Sequence, residues 1–418
     1  MKIVIDMQGA QTLQSSDRGV GRYTMEMTKN LISLAYPKHD IVLFLNNTYS
    51  KKAEKIKKIF KNILPDSNIY CWNQRKENTF FANRPEHLCE NSYIRYEHEI
   101  ERENLLENLN PDIIWLPNPE EGMDEQAITS VKRKNFDVIW ATSQLDVASF
   151  MYSKYLLTNP AVQYYLNEKM LHTKNSDIVI TISNFSKNKI KELFKIEEKK
   201  IFSIYLSCDK NKFKPNIDIY NKQKYILYVS AYRPYTKNLE SLINAFEAMS
   251  EELKKNYNFY IIGKNLKKYI SYKENKNIIF LDYVTDDELI SYYKNCSLFV
   301  LPSIVEGFGL SLLEAMSCGA PSLCSNTSSL PEIAELSEMM FNPYNVTEMS
   351  KMMEKTLLDD NFKKKLIDHG LNQSKKFDWM KSAKEMLNIF EKEFEKKIKD
   401  KNDMAQIKEY INIQKDKV

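Results

Sequence analysis

The sequence predicts an α/β protein made of two doubly wound domains, each built on a parallel sheet. Three observations predict this. The chain has 418 residues, enough for two or three separate cores. Short apolar runs such as Ile178-Val179-Ile180 and Leu298-Phe299-Val300-Leu301 alternate with amphipathic helical patterns, the order expected of βαβ units. Glycines gather in loops that follow strands: three of the nine in the chain lie between Met7 and Arg22. In open α/β sheets ligands bind at the carboxyl ends of the strands, where such loops lie.

The elements follow in order. Ile3-Val4-Ile5 is a first strand. Its loop holds Gly9, Gly19 and Gly21 and leads into a helix over Tyr23 to Leu34. Glycine lets backbone N–H groups approach a ligand closely, although a tight helix entry needs glycine equally. Ile41 to Leu45 is a second strand. Ser50 to Leu64 is a lysine-rich amphipathic helix with Ala53, Ile56, Ile59, Phe60 and Ile63 on one face. Two readings stay open for it: contact with an anionic membrane surface, or packing on the sheet with a solvated lysine face. Cys71 to Glu107 is polar and aromatic, with a helix expected over Tyr93 to Leu109. Asp112 to Pro117 and Asp137 to Ala141 are buried strands. Polar loops follow them, and the second contains Asp146. A helix runs from Asn159 to Thr173, a strand from Ile178 to Ser183, a helix from Lys187 to Phe194, and a last strand over Ile201 to Tyr205.

The polar stretch Cys208 to Lys224, with Pro215, is the expected linker. Tyr225 to Ser230 opens a second sheet. Arg233 and Lys237 follow it, just before a helix over Leu239 to Met249, where fixed cations suit a diphosphate. Solvated surface charge is the alternative for both. Phe259 to Gly263 is a strand whose terminal glycine admits a close ligand or a simple turn. Ile278 to Val284 follows, and Thr285-x-x-Glu288 is a capping box, so Asp286 and Asp287 are discounted as a metal site. The strand Cys296 to Leu301 leads into Glu306-Gly307-Phe308-Gly309 and a helix carrying Leu312, Leu313 and Met316, stopped by Gly319 and Pro321. A helix start there favours phosphate. Glu306 and Glu314 flank it, placed to accept hydrogen bonds from hydroxyls on either side. Ser311-x-x-Glu314 also matches a capping box, which would give Glu314 a merely local role.

Glu306 to Glu314, together with Gly319-Ala320-Pro321 and Ser329-Leu330-Pro331-Glu332-Ile333, resembles the Glu-x7-Glu motif of family 4 glycosyltransferases. The likeness covers nearly the whole chain and is strongest from Tyr225 to Ile333. It implies the GT-B fold, with two Rossmann-like domains facing across a cleft. It divides the chain into residues 1–207 as the acceptor-side domain, 208–224 as linker and 225–380 as the nucleotide-sugar domain. Phe377-Asp378-Trp379 resembles the junction of a helix that crosses back over 381–397, and a charged tail fills 398–418.

The resemblance implies transfer of a hexosyl group from a nucleotide sugar with retention of configuration and no essential metal or other cofactor. Glu306, Lys237 and Arg233 would be catalytic. Glu314, Gly307, Phe308, Gly309, Leu310, Ser311, Gly263, Gly19 and Gly21 would bind the donor, with Tyr283 and Val284 against the base. Arg22 and Asp146 would lie on the acceptor side. Many relatives have a His-Asp or Tyr-Asp pair in the loop of Asp146. This chain has the aspartate without the histidine, so Asp146 as a helix cap stays open beside a role at the acceptor. The loop around Arg233 is one residue longer than the family pattern. Two other activities share the fold: a nucleotide-sugar epimerase, and a non-catalytic partner subunit. Retention of Glu306, Glu314 and Lys237 speaks for transfer.

The run Asp6 to Gln11 is similar to bacterial surface-polysaccharide transferases, which implies a UDP- or GDP-sugar donor and a glycan, lipid-linked or protein acceptor. Sixty Lys and Arg against 56 Asp and Glu give a net charge of +4, too balanced to argue for nucleic acid. Six scattered cysteines show neither CxxC pairs nor zinc-site spacing and read as reduced thiols. The chain begins directly as a strand, and no apolar run approaches the about 18 residues of a membrane span. These features lead to the expectation of a cytoplasmic protein, at the inner face of the membrane if the lysine helix docks there.

Overall fold

A computed structural model describes residues 1–74, 88–123, 126–145, 147–151, 160–230, 234–272 and 274–415. The chain forms two parallel sheets. The first has seven strands in the order β3-β2-β1-β4-β5-β6-β7, and the second has six in the order β10-β9-β8-β11-β12-β13. In the first sheet β1 is Lys2–Asp6, β2 Asp40–Asn46, β3 Ile69–Trp72, β4 Ile113–Leu116, β5 Ile139–Gln144, β6 Ile178–Thr181 and β7 Ile201–Ser203. In the second, β8 is Gln223–Val229, β9 Asn258–Ile262, β10 Ile278–Leu281, β11 Cys296–Leu301, β12 Ser322–Ser325 and β13 Met340–Phe341.

Both orders reverse direction once, between β1 and β4 and again between β8 and β11. Those reversals open crevices at the strands' carboxyl ends. The central strands carry unbroken apolar runs because helices cover both faces of a parallel sheet. In β1 all of Ile3, Val4 and Ile5 are buried, as are Leu298 to Leu301 in β11.

Several boundaries move from the sequence expectation. β3 was not foreseen. It is an edge strand, and only Trp72 of its four residues is fully buried. The helix expected over Tyr93 to Leu109 spans Leu88–Asn108. The lysine-rich helix ends at Phe60. Ala53, Ile56 and Phe60 are buried, whereas Ile59 and Ile63 are each 39% exposed and fall outside the packed stripe. Burial therefore accounts for three of the five residues on that face.

The last helix, Trp379–Lys415, is one continuous element rather than a helix followed by a separate tail. It returns to the first sheet's side of the molecule. The Trp379 ring lies 6.4 Å from that of Tyr23. Ser382 Oγ donates to the Tyr205 carbonyl at 2.6 Å. Glu391 takes Lys38 at 2.7 Å and His39 at 2.8 Å, and Lys397 reaches Asp137 at 2.7 Å.

Among the described residues no helix is long and apolar enough to cross a membrane. Among the described residues five cysteines are free, Cys71, Cys208, Cys296, Cys318 and Cys324. Burial pushes the Cys208 thiol up to about 11 and that of Cys296 up to about 12, so neither is a ready nucleophile at neutral pH.

Candidate active site at the second switch point

The loops after β8 and β11 leave neighbouring strands at the reversal of the second sheet. The first ends in the short helix Pro234–Lys237, and the second runs from Pro302 to Gly309. Two bonds tie them together. The Ile304 amide donates to the Thr236 carbonyl at 2.8 Å. Asn238, in the left-handed region at φ 55°, donates through Nδ2 to the Pro302 and Pro343 carbonyls at 3.1 and 2.8 Å.

Lys237 and Glu306 meet across this junction, with Nζ 2.5 Å from Oε1. Ser303 Oγ donates to the same oxygen at 2.8 Å. The Glu306 backbone is held too, its amide by Ser328 Oγ at 3.0 Å and its carbonyl by Ser329 Oγ at 3.0 Å.

The helix Leu310–Ser317 starts at Gly309, and no side chain caps it. Gly309 has φ 100°, a backbone conformation that favours glycine, and a Cβ there would also press on the Leu330 side chain at 2.6 Å. The capping-box alternative for Glu314 is thereby overturned. Its carboxylate accepts from Arg22 Nη1 at 2.8 Å and from the Tyr293 hydroxyl at 3.2 Å. Glu314 is buried, and that burial pushes its carboxyl up to about 7 against the pull of Arg22.

Arg22 also donates from Nη2 to Asp286 Oδ1 at 2.9 Å. Expected on the acceptor side, it spends its guanidinium on two carboxylates beyond the second sheet. It thus bridges the cleft. Asp286 heads the helix Asp286–Asn295, whose capping box by Thr285 and Glu288 is present as expected.

The remaining expected residues take these places. Gly307 packs against the first sheet's side, where a Cβ would sit 2.6 Å from the Leu145 carbonyl. The Phe308 side chain is buried against Tyr205 and Phe377, at centroid distances of 6.1 and 5.7 Å, which leaves its backbone for any ligand. Leu310 and Ser311 are half-buried at the helix start. A Cβ on Gly263 would fall 2.1 Å from the Ser230 carbonyl, so the end of β9 abuts the end of β8. Tyr283 is 83% exposed, and Val284 beside it is half-buried. A Cβ on Gly21 would fall 2.3 Å from the Ser16 carbonyl, whereas one on Gly19 would meet open space. Arg233 and Asp146 lie outside the described residues. Among the described residues no group of three or more His, Cys, Asp or Glu side chains is placed to hold a metal.

Sequence reasoning missed the residues that hold these groups: Ser303, Ser328 and Ser329 on Glu306, Tyr293 on Glu314, and Asp286 on Arg22. The serines lie in or beside the quoted motif, so proximity in the chain was a usable signal for them. Asp286 lies 264 residues from Arg22 and had none. Chemically, the site offers a lysine and an uncapped helix start between two carboxylates.

This architecture is the GT-B fold. Sucrose-phosphate synthase from Thermosynechococcus elongatus superposes with a TM-score of 0.65 at 15% identity, covering 94% of this chain and 99% of that one. Anabaena HepE in complex with UDP and glucose superposes at 0.61 and 14% identity, covering 94% of this chain and all of that one. Residues 209–373, which contain the second sheet, match the family Glycosyl transferases group 1. The serotype-specific mannosyltransferase WbdA of Escherichia coli is 29% identical over 405 residues, 92% of this chain and 47% of that protein. The O-antigen chain mannosyltransferase B of E. coli is 29% identical over 263 residues, 59% of this chain and 68% of that protein. The chain spans about half the length of the WbdA relatives it matches.

Proposed function

We propose that this chain is a retaining hexosyltransferase that moves a sugar from a nucleoside-diphosphate donor to a hydroxyl acceptor in surface-polysaccharide or glycoconjugate synthesis. One observation carries the reading: Lys237 pairs with Glu306 in the loop that leads into the helix Leu310–Ser317, which carries Glu314, at the switch point of the second sheet. Lys237, Arg233 and the helix start would receive the diphosphate. Glu314 would accept from hydroxyls on the nucleotide side, and Glu306 from those of the transferred sugar. Tyr283 and Val284 would flank the base, and the acceptor would enter past Arg22 and Asp146.

The resemblance to family 4 supports an acceptor that attacks from the face the phosphate leaves, with a phosphate oxygen taking the acceptor's proton. Lys237 stabilises the negative charge that builds on that phosphate. The names of the WbdA and O-antigen relatives favour a mannosyl donor, and hence GDP-mannose over a UDP-sugar. A lipid-linked acceptor would give the lysine face of Ser50 to Leu64 a use at the inner surface of the membrane. Sedimentation with anionic against neutral vesicles tests that contact.

The function is tested by a thermal-shift panel of UDP-, GDP- and ADP-sugars, followed by product analysis. A donor at about 100 times its dissociation constant stabilises the fold by about 2.7 kcal/mol. A new glycosidic bond with the donor's anomeric configuration is the expected product. No shift with any member and no heat of binding would overturn the reading.

Glu314 adds a pH dependence. With its carboxyl raised to about 7, the group changes from neutral acid to carboxylate around neutrality. Only the carboxylate accepts from two hydroxyls at once, so donor affinity rises from about pH 6 to about pH 8. In Glu314→Gln the affinity is lower and flat over that range, as titration calorimetry would show. Stability runs the other way. Between 4.5 and about 7 the unfolded chain has released the proton that the folded chain keeps, so this group's contribution to stability falls as pH rises.

A further inference from the structure

Glu332 lies on the short helix Leu330–Ala334 that follows β12, yet its carboxylate serves the other side of the cleft. Oε2 accepts from the Asn184 amide at 2.8 Å, and Oε1 from the Phe185 amide at 2.7 Å. These are the first two N–H groups of the helix Asn184–Phe194, and the third, on Ser186, is taken by the Ser183 hydroxyl at 3.0 Å. The Tyr205 hydroxyl donates to Oε2 at 2.9 Å and accepts from Asn184 Nδ2 at 2.9 Å. A carboxylate at a helix start gains from both the charge-assisted bonds and the helix's positive end. All of its donors come from the first sheet's side, so these bonds exist only with the cleft closed as seen here.

The same closure seats the loop that carries Glu306. Ser328 and Ser329, just before Glu332 in the chain, hold the Glu306 amide and carbonyl. Ser186 Oγ, in the helix start that Glu332 grips, donates to the Gly307 carbonyl at 3.2 Å. Gly307 in turn lies against Leu145 so closely that no side chain fits between them. Glu332 is thus joined to Glu306 by two short routes, one through its own chain and one through the opposite domain.

We propose that Glu332 is a positioning residue for sugar transfer: it clasps the cleft shut and, through Ser328, Ser329 and Ser186, fixes Glu306 over the transferred sugar. This deepens the proposed function and rests on it. The donors to Glu332 are backbone amides and a tyrosine hydroxyl of the protein itself, so it acts through them.

The test is Glu332→Gln, which keeps size but turns one acceptor into a donor facing an N–H. It is assayed with GDP-mannose, or with whichever panel sugar the wild type turns over. The expected result is a fall in kcat of about tenfold or more, while the donor Kd changes less than about threefold. Tm stays within about 3 °C, and small-angle scattering of the donor-bound variant gives a larger radius of gyration than the wild type. Tyr205→Phe, which removes one of the donors, shows a smaller loss in the same direction. Glu335→Gln, an exposed change three residues along, matches the wild type. The proposal is overturned if kcat of Glu332→Gln stays within about twofold of wild type, if Kd worsens by the same factor as kcat, or if the radius is unchanged. If the wild type transfers no sugar from any donor, the functional reading fails, and the scattering comparison then decides the clasp alone.

Discussion

Lys237→Ala lowers turnover about a hundredfold or more, the cost of losing one fixed donor to a developing anion. Lys237 Nζ sits 2.5 Å from Glu306 at the switch point of the second sheet. Two losses combine in the variant. The cation that would neutralise the departing diphosphate is gone. Among the described residues, Glu306 is also left with only the Ser303 hydroxyl on its carboxyl group, an acceptor facing the same diphosphate. Both effects grow with charge on the phosphate, so kcat suffers more than the donor's Kd. Lys237→Arg restores the charge but places it on a longer, planar group, and recovers only part of the rate. Single-turnover kinetics with calorimetric donor binding separates the two quantities. Near-normal turnover in Lys237→Ala would remove the lysine from the machinery. The fold itself should hardly notice, because the pair is partly exposed and such pairs contribute about 1 kcal/mol or less.

How far the chain could be read depended on the range of the signal. Strands buried on both faces announce themselves as unbroken apolar runs, and β1, β4, β6, β8 and β11 were legible for that reason. β3 was not, because Ile69-Tyr70-Cys71-Trp72 is a half-exposed edge strand at the head of a polar stretch. The Glu306–Glu314 spacing was visible, but what each carboxylate does was not. Local grammar offered Ser311 as a cap for Glu314. The actual partner is Arg22, 292 residues away, and the cap position belongs to Gly309. Phe308 looked like part of a ligand loop, and its ring instead fills a cluster with Tyr205 and Phe377. Glu332 stood inside the quoted motif without a role, since its partners are backbone amides of a helix 147 and 148 residues upstream. Pattern reading finds which residues share an element. It does not find which elements face each other across a cleft.

Arg102→Met destabilises the protein by about 3–5 kcal/mol, the usual cost of removing one partner from a buried ion pair. Arg102 and Asp6 are both fully buried. Two guanidinium nitrogens, Nε at 3.2 Å and Nη2, donate to Asp6 Oδ2, while Nη1 donates to the Ser130 carbonyl at 3.3 Å. Asp6 closes β1, and its other oxygen takes the Gln8 amide at 2.9 Å. Gln8 then grips Ile128 both ways, donating to its carbonyl at 2.7 Å and accepting from its amide at 3.0 Å. Arg102 thereby ties the carboxyl end of β1, from which the loop of Gly19, Gly21 and Arg22 departs, to residues 128–130 in the segment after β4. Methionine of similar length fills the space but leaves Asp6 charged, buried and short of donors. Asp6→Asn in the Arg102→Met background removes that charge and should recover part of the loss, so the two substitutions are strongly non-additive. Denaturant unfolding followed by tryptophan fluorescence reports on this region, because Trp72, Trp115 and Trp140 all lie in the first sheet. A midpoint unchanged by Arg102→Met would show that the pair contributes nothing to holding these loops.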